Sequence, residues 1–228
     1  MAGLDPLTTI VGYAVLIFSI IVHENAHGLA AEYFGDPTAR AMGRITMNPI
    51  PHVDIFGTIL VPLLAMSQGM MFGWAKPVPV NSANLRNPVI HNAYVAAAGP
   101  FANLCLALGG ALLLIVVAVV YEMAPGLNAA TSRSFLFFNT LCSALIMWNT
   151  VLALFNLLPI PPLDGHWILM RFLPPGPRQA LASIGRFGFL ILIVLMMSGI
   201  LWRILSLPVT ATVNGYYALV NGVVGLFT

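Results

Sequence analysis

Charge is what this sequence has least of. Asp, Glu, Lys and Arg together make up 7% of the residues, against roughly 25% in ordinary soluble domains. That scarcity excludes a soluble globular fold, and no stretch of ordinary composition is left for an appended water-facing domain. Cysteine is nearly absent too: Cys105 and Cys142 are the only two. Both fall in apolar runs, where they read as small fillers with no disulfide expected. The N-terminus lacks a basic n-region and an A-x-A cleavage site, so the first hydrophobic segment is expected to be retained.

What is present is apolar. Hydrophobic residues are 59% of the 228, and the mean hydropathy is +0.92. The expected fold is an all-α polytopic membrane protein, a single membrane-embedded domain over residues 1–228 with about four to six transmembrane helices. The first helix reads from about Pro6 to Phe34, with Asp5 as N-cap, Pro6 in the first position and Gly35 just past the end. Such a helix is about 43 Å long, enough to cross a bilayer and emerge. Ile55–Met71 is a second apolar run. The stretch Phe72–Asn81 after it carries Pro77 and Pro79, which forbid a helix and favour extended or turn structure. A re-entrant or extended hairpin is therefore expected near residues 55–81. Further helices are expected over Asn92–Tyr121, Phe135–Leu158 and Ala180–Leu205. Val209–Phe227 is mixed, with Asn214, Asn221 and three glycines, and is expected to insert only in part.

Within the first helix lies His23-Glu24-Asn25-Ala26-His27, an HExxH pattern. Residues four apart share a helix face, so both imidazoles can bind one tetrahedral zinc ion. Glu24 projects beside them, placed to take a proton from water that the metal activates. Short patterns do recur by chance. Five histidines in 228 residues make this spacing inside an apolar helix a poor candidate for accident, because unpaired ionisable groups in hydrocarbon cost several kcal/mol.

An HExxH pair needs a further protein ligand. The candidates are Asp164, Asp54, His52, His91 and His166. Asp164 ends the run Asn156-Leu-Leu-Pro-Ile-Pro-Pro-Leu-Asp164, followed by Gly165. Prolines at 159, 161 and 162 end the preceding helix, and non-helical backbone at membrane depth is tolerated where it is buried in protein or lines a cavity. A solvated Asp at an interfacial helix end is the alternative, and spacing alone leaves both open. The combination of HENAH, Ala96-Ala-Ala-Gly-Pro-Phe-Ala-Asn103 and the NLLPIPPLDG run resembles the site-2 protease family of intramembrane zinc metalloproteases. Gly73-Trp-Ala-Lys-Pro-Val-Pro-Val-Asn81 resembles the compact prokaryotic branch without a PDZ domain. The similarity covers roughly residues 6–175, a catalytic core followed by C-terminal membrane helices over 180–228. It implies one zinc per chain held by His23, His27 and Asp164, with Glu24 as base, and it matches Asn156 to an asparagine that engages substrate backbone.

Asn103 is a second substrate-binding candidate, or a residue that steadies the site or bonds a neighbouring helix. His52 and Asp54 could gate the site, but a solvated interfacial loop is the plainer reading. His91 and His166 are expected at the interface, as are most of Trp74, Trp148, Trp167 and Trp202.

Seven of the nine basic residues can share one side: Arg40, Arg44, Lys76, Arg86, Arg171, Arg178 and Arg186. The positive-inside rule makes that side cytoplasmic, with the N-terminus outside and the site toward the cytoplasm of a cell membrane. The expected reaction is hydrolysis of peptide bonds in transmembrane segments of other proteins. By family resemblance these substrates are first trimmed by another protease. The partners are such segments and lipid, not nucleic acid. Phe72–Asn81 could pair with an unwound substrate as an added strand. The rival readings are a zinc-binding membrane transporter and a non-catalytic protein that holds client helices.

Overall fold

A computed structural model describes residues 5–55, 57, 75–123 and 133–227. Every regular element among them is helical. Helix α1 spans Pro6–Tyr33; the Asp5 side chain accepts from the Thr8 N–H at 3.0 Å, Pro6 opens the helix, and Gly35 follows its end with φ 111°. A short α2 (Thr38–Ala41) and a 3-10 turn at Ile50–His52 lead toward the undescribed run. Residues 75–81 belong to no helix or strand, Asn81 at their end is extended, and a second 3-10 turn at Ser82–Asn84 precedes α3 (Pro88–Met123). Helices α4 (Arg133–Asn156), α5 (Asp164–Phe172), α6 (Pro175–Gly185), α7 (Gly188–Met197) and α8 (Ile200–Val224) complete the chain.

Helix α3 is the hub, packed on α1, α4, α5 and α8. Its sequence explains why. Ala96, Gly99, Asn103, Ala107, Gly110, Leu114 and Val117 recur at three- and four-residue spacing, and all are buried. Small side chains along one stripe let neighbouring backbones approach closely, the usual basis of helix association in lipid. The stripe meets Cys142, Ile146 and Val220 in one apolar cluster, while Leu163, Leu192, Leu201, Leu205 and Val209 form another. The outer faces are apolar as well: Phe101 is 68% exposed and Val116 57%. An apolar exterior on this scale suits hydrocarbon rather than water.

Among the described residues, three helices are long and apolar enough to cross a membrane: α1, α3 and α4. A fourth span is counted if α6 and α7, bent by 70°, are taken together. The expected single helix over Ala180–Leu205 is thus corrected. It breaks at Arg186–Phe187, where a Cβ on Gly188 would lie 2.6 Å from the Pro161 carbonyl oxygen. It breaks again at Gly199, whose φ of 71° ends α7 in the left-handed region. The mixed segment after Val209 is likewise not a separate element. It continues α8 through Pro208, because Val209 and Val220 are anchored in the two apolar clusters. The Ile55–Met71 run, apart from residues 55 and 57, and Trp74 lie outside the described residues.

Candidate metal centre and active site

Helical spacing brings the His23 and His27 Nε2 atoms to 2.9 Å from each other, with their rings near perpendicular. Asp164 places Oδ2 3.2 Å from His23 Nε2 and Oδ1 3.3 Å from His27 Nε2. It is the first residue of α5 rather than part of an unwound stretch. The unwound stretch lies just before it, in the turn that follows α4.

The outer ring nitrogens decide the tautomer. His23 Nδ1 lies 2.6 Å from Asn103 Oδ1, and His27 Nδ1 lies 2.7 Å from the Val95 carbonyl. Both partners are acceptors, so each Nδ1 carries a hydrogen, and in the neutral imidazole the lone pair is then on Nε2. The Asn103 assignment follows from its own bonds, since its Nδ2 donates to Asn149 Oδ1 at 2.8 Å and to the Ser19 carbonyl at 3.3 Å. Two lone pairs and a carboxylate therefore converge, their ligand atoms all within 4.8 Å of one another. Asp164 Oδ2 is buried with no hydrogen-bond donor. Acceptors packed this closely repel unless a cation sits among them, and two imidazoles plus one carboxylate are a ligand set that suits zinc. Gly99 completes the cradle: a Cβ there would lie 2.5 Å from His27 Nε2 and 2.6 Å from His23 Nε2.

Glu24 stands beside this trio and not in it. Its Oε2 accepts the Val78 N–H at 2.6 Å. Both border a cavity of about 340 Å³, which the three converging residues, Val80, Asn156 and Trp167 also line. The wall formed by residues 75–81 is tied down along its length. The Lys76 N–H donates to the His52 carbonyl at 2.9 Å, and the Asn81 N–H donates to Asp36 Oδ2 at 2.6 Å. Burial pushes the Asp36 carboxyl up, but bonds from Thr38, Asn84 and Asn81 outweigh it and hold the group below its ordinary value. Asn25, the first residue between Glu24 and His27's turn, ties α1 to the following loop through the Thr46 carbonyl at 2.8 Å.

Several candidates fall elsewhere than expected. Asn103 is fully buried behind His23, with its amide bonded to protein on every side, so it does not reach the cavity. Asn156 does line it, with its Nδ2 bonded to the Leu152 carbonyl at 2.9 Å. His52 is not in a solvated loop: it is 2% exposed, and its Nε2 lies 3.0 Å from the Thr46 carbonyl. His166 is buried, with its Nδ1 against the Leu163 carbonyl. His91 stacks on Phe34 at the end of α1, and Asp54 caps the Gly57 N–H at 2.7 Å. None of the four joins the trio. Sequence reading missed Asn149 and Arg44. A polar residue in the apolar run of α4 was a usable signal for the first; a buried arginine after Gly43 gave none.

Residues 11–196 match the sequence profile of Peptidase family M50. The chain is 40% identical over 196 residues to a Bacillus subtilis protein named "Putative zinc metalloprotease YwhC", covering 84% of each chain. It is 31% identical over 189 residues to the Mycolicibacterium smegmatis protein named "Putative zinc metalloprotease Rip2", covering 82% of this chain and 66% of that one. A Mycobacterium tuberculosis Rip2 is 30% identical over 182 residues, 80% of this chain and 64% of that one. No solved structure matches the chain. A match of this extent, in a chain of membrane-length helices, places the protein in peptidase family M50 as a membrane metalloendopeptidase of the site-2 protease kind.

Proposed function

We propose that the protein hydrolyses peptide bonds within transmembrane segments of other membrane proteins, using one zinc ion per chain held by His23, His27 and Asp164, with Glu24 as general base. The observation that carries this reading is the separation of roles at one cavity. Three acceptors converge as a ligand set, while a fourth ionisable group, Glu24, is held apart from them by the Val78 N–H. A transporter that handles a passing ion has no use for a base fixed beside its ligands. A protein that only holds client helices needs neither.

Zinc held by His23, His27 and Asp164 would supply Lewis acidity, lowering the pKa of water toward ~7 and polarising a carbonyl. The protein's own groups do the rest. Asn103 and the Val95 carbonyl hold the two imidazoles in the ligating tautomer. Glu24 accepts a proton from water and returns it to the leaving amine. Asn156, on the cavity wall, bonds the substrate main chain. A helical substrate hides its carbonyls in internal bonds, so it must unwind before it can be cut. The non-helical segment 75–81 offers it a replacement main-chain partner at Val80, a residue that lines the cavity. Extramembrane bulk blocks entry, which makes prior trimming by another protease part of the same reading.

The orientation proposed is an extracytoplasmic N-terminus with the site toward the cytoplasmic face of the cell membrane. In support, Phe34 at the end of α1 stacks on Tyr94 at the start of α3, and the Arg171 guanidinium lies 4.9 Å from the Tyr94 ring. Arg171 thus lies at the end where α1 finishes and α3 begins, and the Arg86 N–H donates to the Phe34 carbonyl at 3.1 Å at that same end, in keeping with a positive cytoplasmic face. The test of the function is cleavage of a membrane-segment reporter by purified zinc-loaded protein, compared with Glu24→Gln at equal zinc content.

A further inference from the structure

Arg44 follows the short helix α2, where Gly43 turns the chain with φ 64°. It is 8% exposed. Among the described residues no carboxylate pairs with its guanidinium, and its Nε has no hydrogen-bond partner. A buried cation with no counter-ion is costly, so what it does contact carries weight. Arg44 Nη2 donates to the Lys76 carbonyl at 2.8 Å and to the Pro77 carbonyl at 3.2 Å.

The second contact has a consequence for the site. The Pro77 carbonyl and the Val78 N–H belong to the same peptide group. Its oxygen accepts from Arg44, and its N–H donates to Glu24 Oε2 at 2.6 Å. One rigid, planar peptide therefore stands between a buried cation and the carboxylate, its dipole aligned with both. Bonds linked in this way polarise and strengthen one another in a low-dielectric surrounding. The lone proline N before it has no hydrogen to offer, so the peptide has no competing donor on that side.

We propose that Arg44 is a positioning residue for the reaction: by clamping the Pro77–Val78 peptide it aims the Val78 N–H at Glu24 and fixes where the base's carboxylate stands. The inference rests on the reading of Glu24 as base. It adds a specific role for a residue outside the HExxH helix and outside the ligand set. A merely structural arginine, or one that only shapes the wall against which substrate lies, would act on folding or on substrate affinity. A residue that aims the base acts on turnover.

The experiment compares wild type, Arg44→Ala, Arg44→Lys and Glu24→Gln, each assayed for zinc content, kcat and KM on a membrane-segment reporter. In parallel, the Val78 amide is followed by ¹H–¹⁵N NMR of valine-labelled protein in detergent micelles. Arg44→Ala is expected to lower kcat roughly 10- to 100-fold, the scale of a misplaced catalytic group, with zinc content and KM unchanged. Its Val78 amide proton should move upfield, in the same direction as in Glu24→Gln. Arg44→Lys keeps a cationic donor but loses the longer reach and planar fork of the guanidinium that set Nη2 against the two carbonyls, and should fall between wild type and alanine in kcat. If the alanine variant does not hold zinc, the lysine variant is the one read, and a wild-type kcat there overturns the proposal. A raised KM at unchanged kcat, or an unmoved Val78 amide in Arg44→Ala, overturns it as well. Wild-type protein that holds zinc and cuts nothing would instead refute the function, and the amide shift would still report whether Arg44 and Glu24 are linked.

Discussion

Asn103 accepts the Nδ1 hydrogen of His23 at 2.6 Å, joining two helices whose contacting residues are 80 positions apart. The bond fixes the imidazole tautomer, and Asn149 fixes Asn103 in turn. Removing Asn103 takes away the partner of the His23 Nδ1–H and of the buried Asn149 Oδ1. Asn103→Ala is therefore expected to lose zinc affinity by about 10- to 100-fold, the usual cost of removing a partner that orients a ligand. Gly99→Ala, whose new Cβ would meet both rings, should lose more. Competition for zinc against a chelator of known affinity measures both; wild-type retention in either variant would contradict the role assigned to this face of α3.

Asp164 and Asp54 are separated by the same measurement. Asp164→Ala removes one of three converging donors and should release zinc readily. Asp54→Ala disturbs a turn at Gly57 and should retain it. The reverse pattern would show that the third ligand is misassigned.

The extended wall yields a contrast between two neighbouring valines. Val78 and Val80 to alanine should change cleavage little, since main-chain bonds are indifferent to side chains. Proline at either position removes an N–H. At Val78 that N–H is bound to Glu24, so Val78→Pro should depress kcat. At Val80, which lines the cavity, the N–H is the one proposed to pair with substrate, so Val80→Pro should raise KM. Zinc content should hold in all four variants. Equal kinetics for the proline and alanine versions at both sites would remove the support for main-chain pairing.

Topology is open to cysteine labelling in a variant lacking Cys105 and Cys142. Single cysteines at positions 40 and 178 should label from the cytoplasmic side, and one at 133 from the other. Labelling of 40 and 178 from opposite faces would mean that a crossing between them has been miscounted.

The parts of the fold visible in the sequence were those governed by local rules. Asp5, Pro6 and Gly35 mark the ends of α1 through capping and backbone geometry, and prolines 159, 161 and 162 stop α4 near Asn156. The HExxH spacing placed two imidazoles and a carboxylate on one helix. Less visible was whatever depends on tertiary contact. The break of the Ala180–Leu205 run follows from Gly188 meeting the Pro161 carbonyl, which no local pattern announces. Continuation of α8 through Pro208 depends on packing against α3, α4 and α7. The grip on Glu24 passes through a backbone N–H, and backbone donors leave no trace in residue type. Asn103 shows the same limit from the other side: its identity marked it as important, but only burial shows that it serves His23 rather than the cavity.

The most direct measurement pairs zinc content with cleavage for Glu24→Gln. Glutamine keeps the size of the side chain and an oxygen for the Val78 N–H, but it cannot accept the proton from water. The variant should bind zinc as wild type does, and its cleavage of a membrane-segment reporter should fall at least about 100-fold, as the loss of a general base entails. A zinc-loaded Glu24→Gln protein that cleaves at the wild-type rate would contradict the assignment of Glu24 as the base of this metalloprotease.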